Sequence, residues 1–229
     1  MSIRIFLISI FAGLLYGCVK ESPTNIEGKD DLTDFTGLKI GNTIFYHVKY
    51  IFHDDQVDRH DTTEFKMKSE IQDTFRDNEN NLRYLIHRFR WNDTINNWVS
   101  YKVISAYKKT NFYFESEDNL LIKKLYIPYI LNMEWNADTH NNNDSLHYRY
   151  LLNYPIIKIN NIQVDSVIHV KQQLYKTYVD LKRKSEFYAK NKGLIYRVYK
   201  DLQIKKGDTL KIEKGVEWYY SIYQFLKGK

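Results

Sequence analysis

The stretch Asn161–Lys171, NIQVDSVIHVK, decides the fold class. Ile162, Val164, Ser166, Ile168 and Val170 fall on every second position, and Gln163, Asp165, His169 and Lys171 fall between them. A period of two is that of a strand with one covered and one polar face. The same period recurs at Ile44, Tyr46, Val48, Tyr50 and Phe52, at Phe65, Met67, Ser69 and Ile71, and at Leu194, Tyr196 and Val198. It returns at Val216, Trp218, Tyr220 and Ile222. Further strands are expected near Leu82–Trp91, Trp98–Tyr107, Leu146–Leu152 and Leu174–Tyr188. β-branched and aromatic residues dominate these runs, as a pleated, half-covered surface prefers.

Polar clusters separate the runs: HDDQVDRHD, RDNENN, NADTHNNND, KNKG and KKGD. Many strands, short turns and no long helical period predict an all-β, mainly antiparallel protein, curled into a barrel or half-barrel. One short helix is possible at Asn119–Leu131, where Leu120, Leu121, Lys124 and Leu125 also fit a helical face and Pro128 would end it. Leu82–Trp91 is apolar on both faces. That suits either a barrel around a ligand cavity or a two-layer sandwich with a solid core.

The N-terminus is organised differently. One positive charge, Arg4, precedes an apolar run from Ile5 to Tyr16, the layout of an export signal. The run is too short for a transmembrane helix, which needs about 20 residues. It ends at Leu15-Tyr16-Gly17-Cys18, and Cys18 is the only cysteine, so an internal disulfide is excluded. These four residues resemble the lipobox of bacterial lipoproteins, although Tyr16 is bulky for its place. The resemblance implies a diacylglycerol on Cys18, loss of residues 1–17, and a palmitate-type anchor in a membrane, the outer membrane being expected. A plain secretory signal with an incidental cysteine is the alternative. Residues 18–36 read as a polar tether and residues 37–229 as one β-rich domain.

Three further stretches carry a second resemblance. GLKIGNTIFYHV (37–48), IPYILNMEWN (127–136) and SEFYAKNKGLIYRVYKDL (185–202) look like motifs of uncharacterised cell-envelope lipoproteins of Bacteroidota. Gly37 stands where that pattern has Pro, Ile44 where it has Trp, and Lys192 where it has Val. The last stretch also recurs in half-barrels similar to periplasmic lipoprotein carriers and to lipocalin-like folds. The resemblance implies β architecture and no chemistry. In the hairpin itself, Gly193 is expected to adopt a positive φ.

The chain carries +6 at neutral pH, and +5 without Arg4. Basic residues are scattered among acids, no nucleic-acid motif accompanies them, and an AT-rich coding bias explains the Lys, Asn, Ile, Tyr and Phe together. There is no nucleophile elbow, Gly-rich phosphate loop or HExxH. No catalytic residue, cofactor or nucleic-acid partner is therefore expected. Metal is considered only at Phe52–Asp61, where His53, Asp55, Asp58 and His60 are weak candidates beside Asp54 and Asp61; a polar hairpin turn explains the same residues. Trp135, His140, Asn141 to Asn143, Asp144 and His147 could form a sugar-binding loop or a solvated turn. Glu115 and Glu117 would share one solvated strand face. Asp-Ser/Thr-aliphatic triplets at 93–95, 144–146, 165–167 and 208–210 resemble O-glycosylation sites of exported Bacteroidota proteins. The expected role is an envelope lipoprotein that binds an apolar or amphipathic ligand, or serves an envelope complex. A structural or surface-interaction role and a hydrolase are the other classes.

Overall fold

The computed structural model describes residues 34–138, 146–206 and 211–229. Twelve strands form one antiparallel sheet: β1 (Thr43–Asp54), β2 (Arg59–Arg76), β3 (Leu82–Asn92), β4 (Asn97–Lys109), β5 (Phe112–Glu117), β6 (Leu120–Tyr126), β7 (Glu134–Asn136), β8 (His147–Ile159), β9 (Ile162–Lys176), β10 (Asp180–Ala189), β11 (Gly193–Ile204) and β12 (Ile212–Leu226). Each strand pairs with its sequence neighbour, except β6 with β7, and β1 also pairs with β12. The result is an up-and-down barrel that is closed apart from the β6–β7 seam.

Main-chain and side-chain bonds both hold the seam. The Lys123 N–H donates to the Ala137 carbonyl at 3.0 Å. The Trp135 indole N–H donates to the Lys123 carbonyl at 2.8 Å, and the Tyr150 hydroxyl to the Tyr126 carbonyl at 2.6 Å. Trp135 and Tyr150 are themselves buried, so the seam is packed as well as bonded.

Two apolar clusters fill the sheet's covered surfaces. One joins β2–β6 to β7–β10 through Ile86, Ile104, Leu125, Trp135, Tyr150 and Ile168. The other lies where the β8–β9 hairpin reaches β12, and includes Val48, Met67, Val164, Ile195 and Ile222. Asn160, at the tip of that hairpin, donates to the Ser221 hydroxyl at 3.3 Å and the Ile222 carbonyl at 3.0 Å. Each fully buried side chain of this size contributes about 1.5–3 kcal/mol.

Several sequence expectations change in detail. The 119–131 segment holds no helix: Leu120–Tyr126 is β6, and the turn after it contains a cis Ile127–Pro128 bond. Among the described residues the one short helix is a 3-10 turn at Asp55–Val57. Leu174–Tyr188 is two strands, divided by a turn in which Thr177 accepts from the Val179 and Asp180 amides. Alternation in β9 breaks at Ser166, which has a φ of 51°, so Val167, Ile168, His169 and Val170 are all buried in succession. Turns explain part of the Asn content: Asn80, Asn96, Asn119, Asn132, Asn160 and Asn191 all have positive φ, which Asn tolerates well.

Gly193 does have positive φ, at 93°, and it lies against Gly37, at 64°. A Cβ on Gly37 would stand 2.3 Å from the Lys192 carbonyl oxygen, and one on Gly193 2.7 Å from that of Thr36. A proline, locked near −65°, could not replace Gly37 here. Thus residues 34–37 pack on the β10–β11 turn, and the Asn191 amide donates to the Asp34 carbonyl at 2.6 Å. Gly193→Ala should lower the unfolding free energy by about 2 kcal/mol or more, through φ strain and the clash with Thr36. Urea unfolding followed by tryptophan fluorescence measures this.

Candidate functional site

Charged side chains cross the barrel interior. Glu186 of β10 accepts from Lys124 Nζ of β6 at 2.7 Å, although β6 and β10 are not neighbours in the sheet. It also accepts from Arg197 Nε at 2.8 Å and Nη2 at 2.6 Å. Gln172 Nε2 and the Tyr188 hydroxyl each donate to its other oxygen at 2.6 Å. Glu186 is 1% exposed. Lys124 points inward because β6 carries an extra residue there: Tyr113 pairs with Leu125 and Phe114 with Lys123.

A second group lies on β3–β5. Arg88 Nη1 reaches both Glu117 oxygens at 3.3 Å, and Lys102 Nζ contacts Glu117 at 2.9 Å and Asp118 at 2.7 Å. The Tyr113 hydroxyl donates to Glu115 at 2.7 Å. Glu115 is 8% exposed, so the expected solvated Glu115–Glu117 face is divided: Glu115 is buried, while Glu117 stays a third exposed and pairs with Arg88 and Lys102. Between these groups the interior void beside Arg88, Tyr113 and Glu115 is only about 50 Å³.

Burial alone would raise the Glu186 carboxyl. The Lys124 and Arg197 charges, with hydrogen bonds from Lys124 and Tyr188, outweigh it and hold the pKa at about 2. Burial also acts upward on Glu117, and the Arg88 charge and the Lys102 hydrogen bond bring it to about 2. Burial, then Arg183, lowers His169 to about 4, so it is neutral at pH 7. Its ring stacks on Phe187 at 4.1 Å and 9°, and neither nitrogen has a hydrogen-bond partner among the described residues.

A cleft of about 690 Å³ lies between the tip of the β8–β9 hairpin and strands β1, β2 and β10–β12. Phe65, Phe187, Tyr196 and Tyr219 line it, with Lys158 and Asn160 of the hairpin. Lys158 is exposed and forms no ion pair among the described residues, whereas Lys49, also on the cleft, pairs with Glu64 at 3.4 Å. The cleft therefore offers ring faces below and one uncommitted cation at its rim.

Of the sequence-derived candidates, His53 and His60 are cross-strand neighbours, with their Nδ1 atoms 3.2 Å apart. His53 Nε2 lies 2.9 Å from Glu217, which also contacts Lys200 Nζ at 2.6 Å and the Tyr219 hydroxyl. Asp55 stands 3.9 Å from His60. Asp58 takes φ 50° at the end of the 3-10 turn and is exposed. Among the described residues no three His, Cys, Asp or Glu side chains converge as metal ligands would. Lys200 supplies the charge beside Glu217 that a cation would otherwise bring. Trp135 belongs to the seam, while residues 139–145, with His140 to Asp144, lie outside the described residues. Of the four triplets, 93–95 is an exposed turn and 165–167 lies in β9, where Val167 is buried. The triplets at 144–146 and 208–210 fall wholly or partly outside the described residues, as does Cys18.

The Lys124–Glu186–Arg197 group had no clear sequence signal, since a strand's polar face ordinarily meets water. Among solved structures the chain is similar to a candidate lipoprotein from Parabacteroides distasonis, at 13% identity over 86% of this chain and 100% of that one, with a TM-score of 0.42. No protein family model and no curated protein matches the chain.

Glu186→Gln would leave Lys124 and Arg197 buried without their counter-charge. A loss of about 3–5 kcal/mol is expected, as for other broken buried pairs. Because Glu186 and Glu117 have folded pKa values below their ordinary 4.5, their contribution is complete above pH 4.5 and disappears as pH falls toward 2. Unfolding free energies measured across that window should fall steeply for the native chain and less steeply for Glu186→Gln.

Proposed function

We propose that this chain is a lipid-anchored protein of the cell envelope that binds an amphipathic ligand without chemical conversion. The observation that carries the binding reading is the cleft of about 690 Å³ beneath the β8–β9 hairpin. That volume is in the usual range for small-molecule sites, which are mostly apolar with a few placed polar groups. Phe65, Phe187, Tyr196 and Tyr219 would cover an apolar body, and Lys158 and Asn160 would meet a polar end.

Support for the anchor comes from the sequence. Arg4, the apolar run Ile5–Tyr16 and Leu15-Tyr16-Gly17-Cys18 form an export signal ending at an acylatable thiol. Each buried lipid methylene adds about 0.8 kcal/mol, and two or more chains give stable attachment. The outer membrane is the membrane that the lipoprotein resemblance implies. A non-catalytic role follows from the lack of any recognised catalytic motif in the sequence.

Mass spectrometry of the native, membrane-purified protein tests both parts. Acylation at Cys18, loss of residues 1–17 and a co-purified amphipath are expected. An unprocessed chain with a free Cys18 thiol would refute the anchor. For the cleft, a fluorescent long-chain fatty acid should bind, and Lys158→Glu should weaken it by about tenfold, or 1.4 kcal/mol. Equal affinity in both proteins, with the native fold retained by circular dichroism, would remove the cleft from the account.

A further inference from the structure

The barrel's two ends differ in charge. One end is where the described chain begins. There the Gly41 amide donates to the Ile71 carbonyl at 2.7 Å, and the Gly228 amide donates to Asn42 Oδ1 at 2.9 Å. Lys108 Nζ pairs with Asp34 at 3.0 Å, Lys109 with Glu79 at 2.8 Å, and the Phe35 ring lies 6.4 Å from that of Tyr129. The Ile127 amide donates to the Asn111 carbonyl at 2.6 Å. Residues 34–42, the C-terminus, and the β2–β3, β4–β5, β6–β7 and β10–β11 connections are thus gathered at one end.

Lys39, Arg76, Lys227 and Lys229 are exposed at this end, and Lys190 is half-buried. None of these five has an ion-pair partner among the described residues. Of the acids there, Asp34, Asp77 and Glu79 are paired to Lys108, Arg83 and Lys109. Asp73 caps the Thr74 amide and opposes the cations. Between the cations stand large apolar side chains that water covers only at a cost: Ile40, Phe75, Ile130, Leu131 and Leu226, each 44–53% exposed. The other end carries Asp54, Asp55, Asp58, Asp61, Asp93 and Asp118, of which Asp54, Asp55, Asp61 and Asp118 pair with Lys214, Lys205, Arg59 and Lys102, and it too exposes apolar side chains, among them Val57, Ile95 and Tyr178.

We infer that the end bearing Lys39, Arg76 and Lys227 docks on an anionic lipid bilayer, its lysines and arginine against head groups and its aliphatic and aromatic side chains in the interfacial layer. This rests on the lipid-anchor reading of Cys18. Fifteen residues separate Cys18 from Asp34, enough to span about 50 Å when extended. Such a leash keeps the barrel near the membrane without orienting it. Orientation comes from charge, because each basic residue near an anionic surface is worth about 1 kcal/mol. The leash enters at the basic end, so this same end faces the bilayer while the end whose acids are mostly paired faces away. Apolar residues interleaved with snorkelling Lys and Arg match what an interface takes up. A protein partner or a second copy of the chain would be the other occupants of such a face.

The test uses the processed chain, residues 18–229, carrying Cys18→Ser, which lacks both the export signal and the acyl chains and leaves the docking end intact. Its sedimentation with vesicles of phosphatidylcholine alone is compared with that of vesicles also containing phosphatidylglycerol. Binding to the anionic vesicles only, weakening as salt rises, is expected. Adding Lys39→Gln, Arg76→Gln and Lys227→Gln together should cost about fivefold per residue, roughly a hundredfold in all. Replacing Arg59, Lys205 and Lys214 of the opposite end by Gln should leave binding unchanged. Absence of binding, equal binding to both vesicles, equal loss from either triple, or self-association abolished by the first triple would each overturn the inference. Acylation of the native Cys18 is read separately by mass spectrometry, so docking can fail with the anchor intact, or hold without it.

Discussion

A single buried carboxylate holds opposite walls of this barrel together. A meander of strands closes only where its edges meet, and here one edge, β7, is three residues long. A ladder of that length supplies little main-chain bonding. Lys124 on the other edge strand instead reaches across the interior to Glu186, where Arg197, Gln172 and Tyr188 complete the coordination. Taking ions out of water costs several kcal/mol each, and the attraction repays it only when every lone pair is used. Five donor contacts on the two Glu186 oxygens meet that condition. The Trp135 and Tyr150 bonds then seal the seam from the apolar side.

The interior arrangement decides what the barrel can hold. Charged and aromatic side chains occupy it, and the void near Arg88 and Glu115 admits little more than water. Space for a larger guest lies instead under the β8–β9 hairpin, which is tied to β12 by Asn160 alone among the hydrogen bonds at its tip. That hairpin is long because β8 and β9 extend beyond the last β10 residue, Ala189, which pairs with Val167. The positive φ at Ser166 marks where this extension leaves the regular pleat.

Most strands were legible because period-two alternation survives wherever one face is covered. Ile44, Tyr46 and Val48 are buried as their spacing implies, and Gly193 takes the backbone that its turn requires. Legibility failed where a bulge or charge interrupts the period. In β6 the extra residue puts Lys124 and Leu125 both inside, which imitates a helical face. In β9 the break at Ser166 buries His169, although its place in the pattern suggests solvent. Glu115, Glu186 and Arg197 occupy alternating polar positions like those of any wet face. Glu186 and Arg197 face each other across the β10–β11 hairpin, and only the closing of the barrel brings Lys124 to them. The His53–His60 pair was visible as a cluster, but its partner Glu217 lies 164 residues away in sequence.

Closure of the seam is the claim on which the barrel, its buried charges and the placement of the cleft depend. Residue-resolved amide hydrogen exchange at Lys123 tests it most directly, because that N–H donates to the Ala137 carbonyl across the seam. The account predicts that Lys123 exchanges as slowly as the central amides of β1 and β12, opening only with the whole barrel. Exchange at Lys123 near the free-peptide rate, with β1 and β12 still protected, would show an open sheet and contradict it.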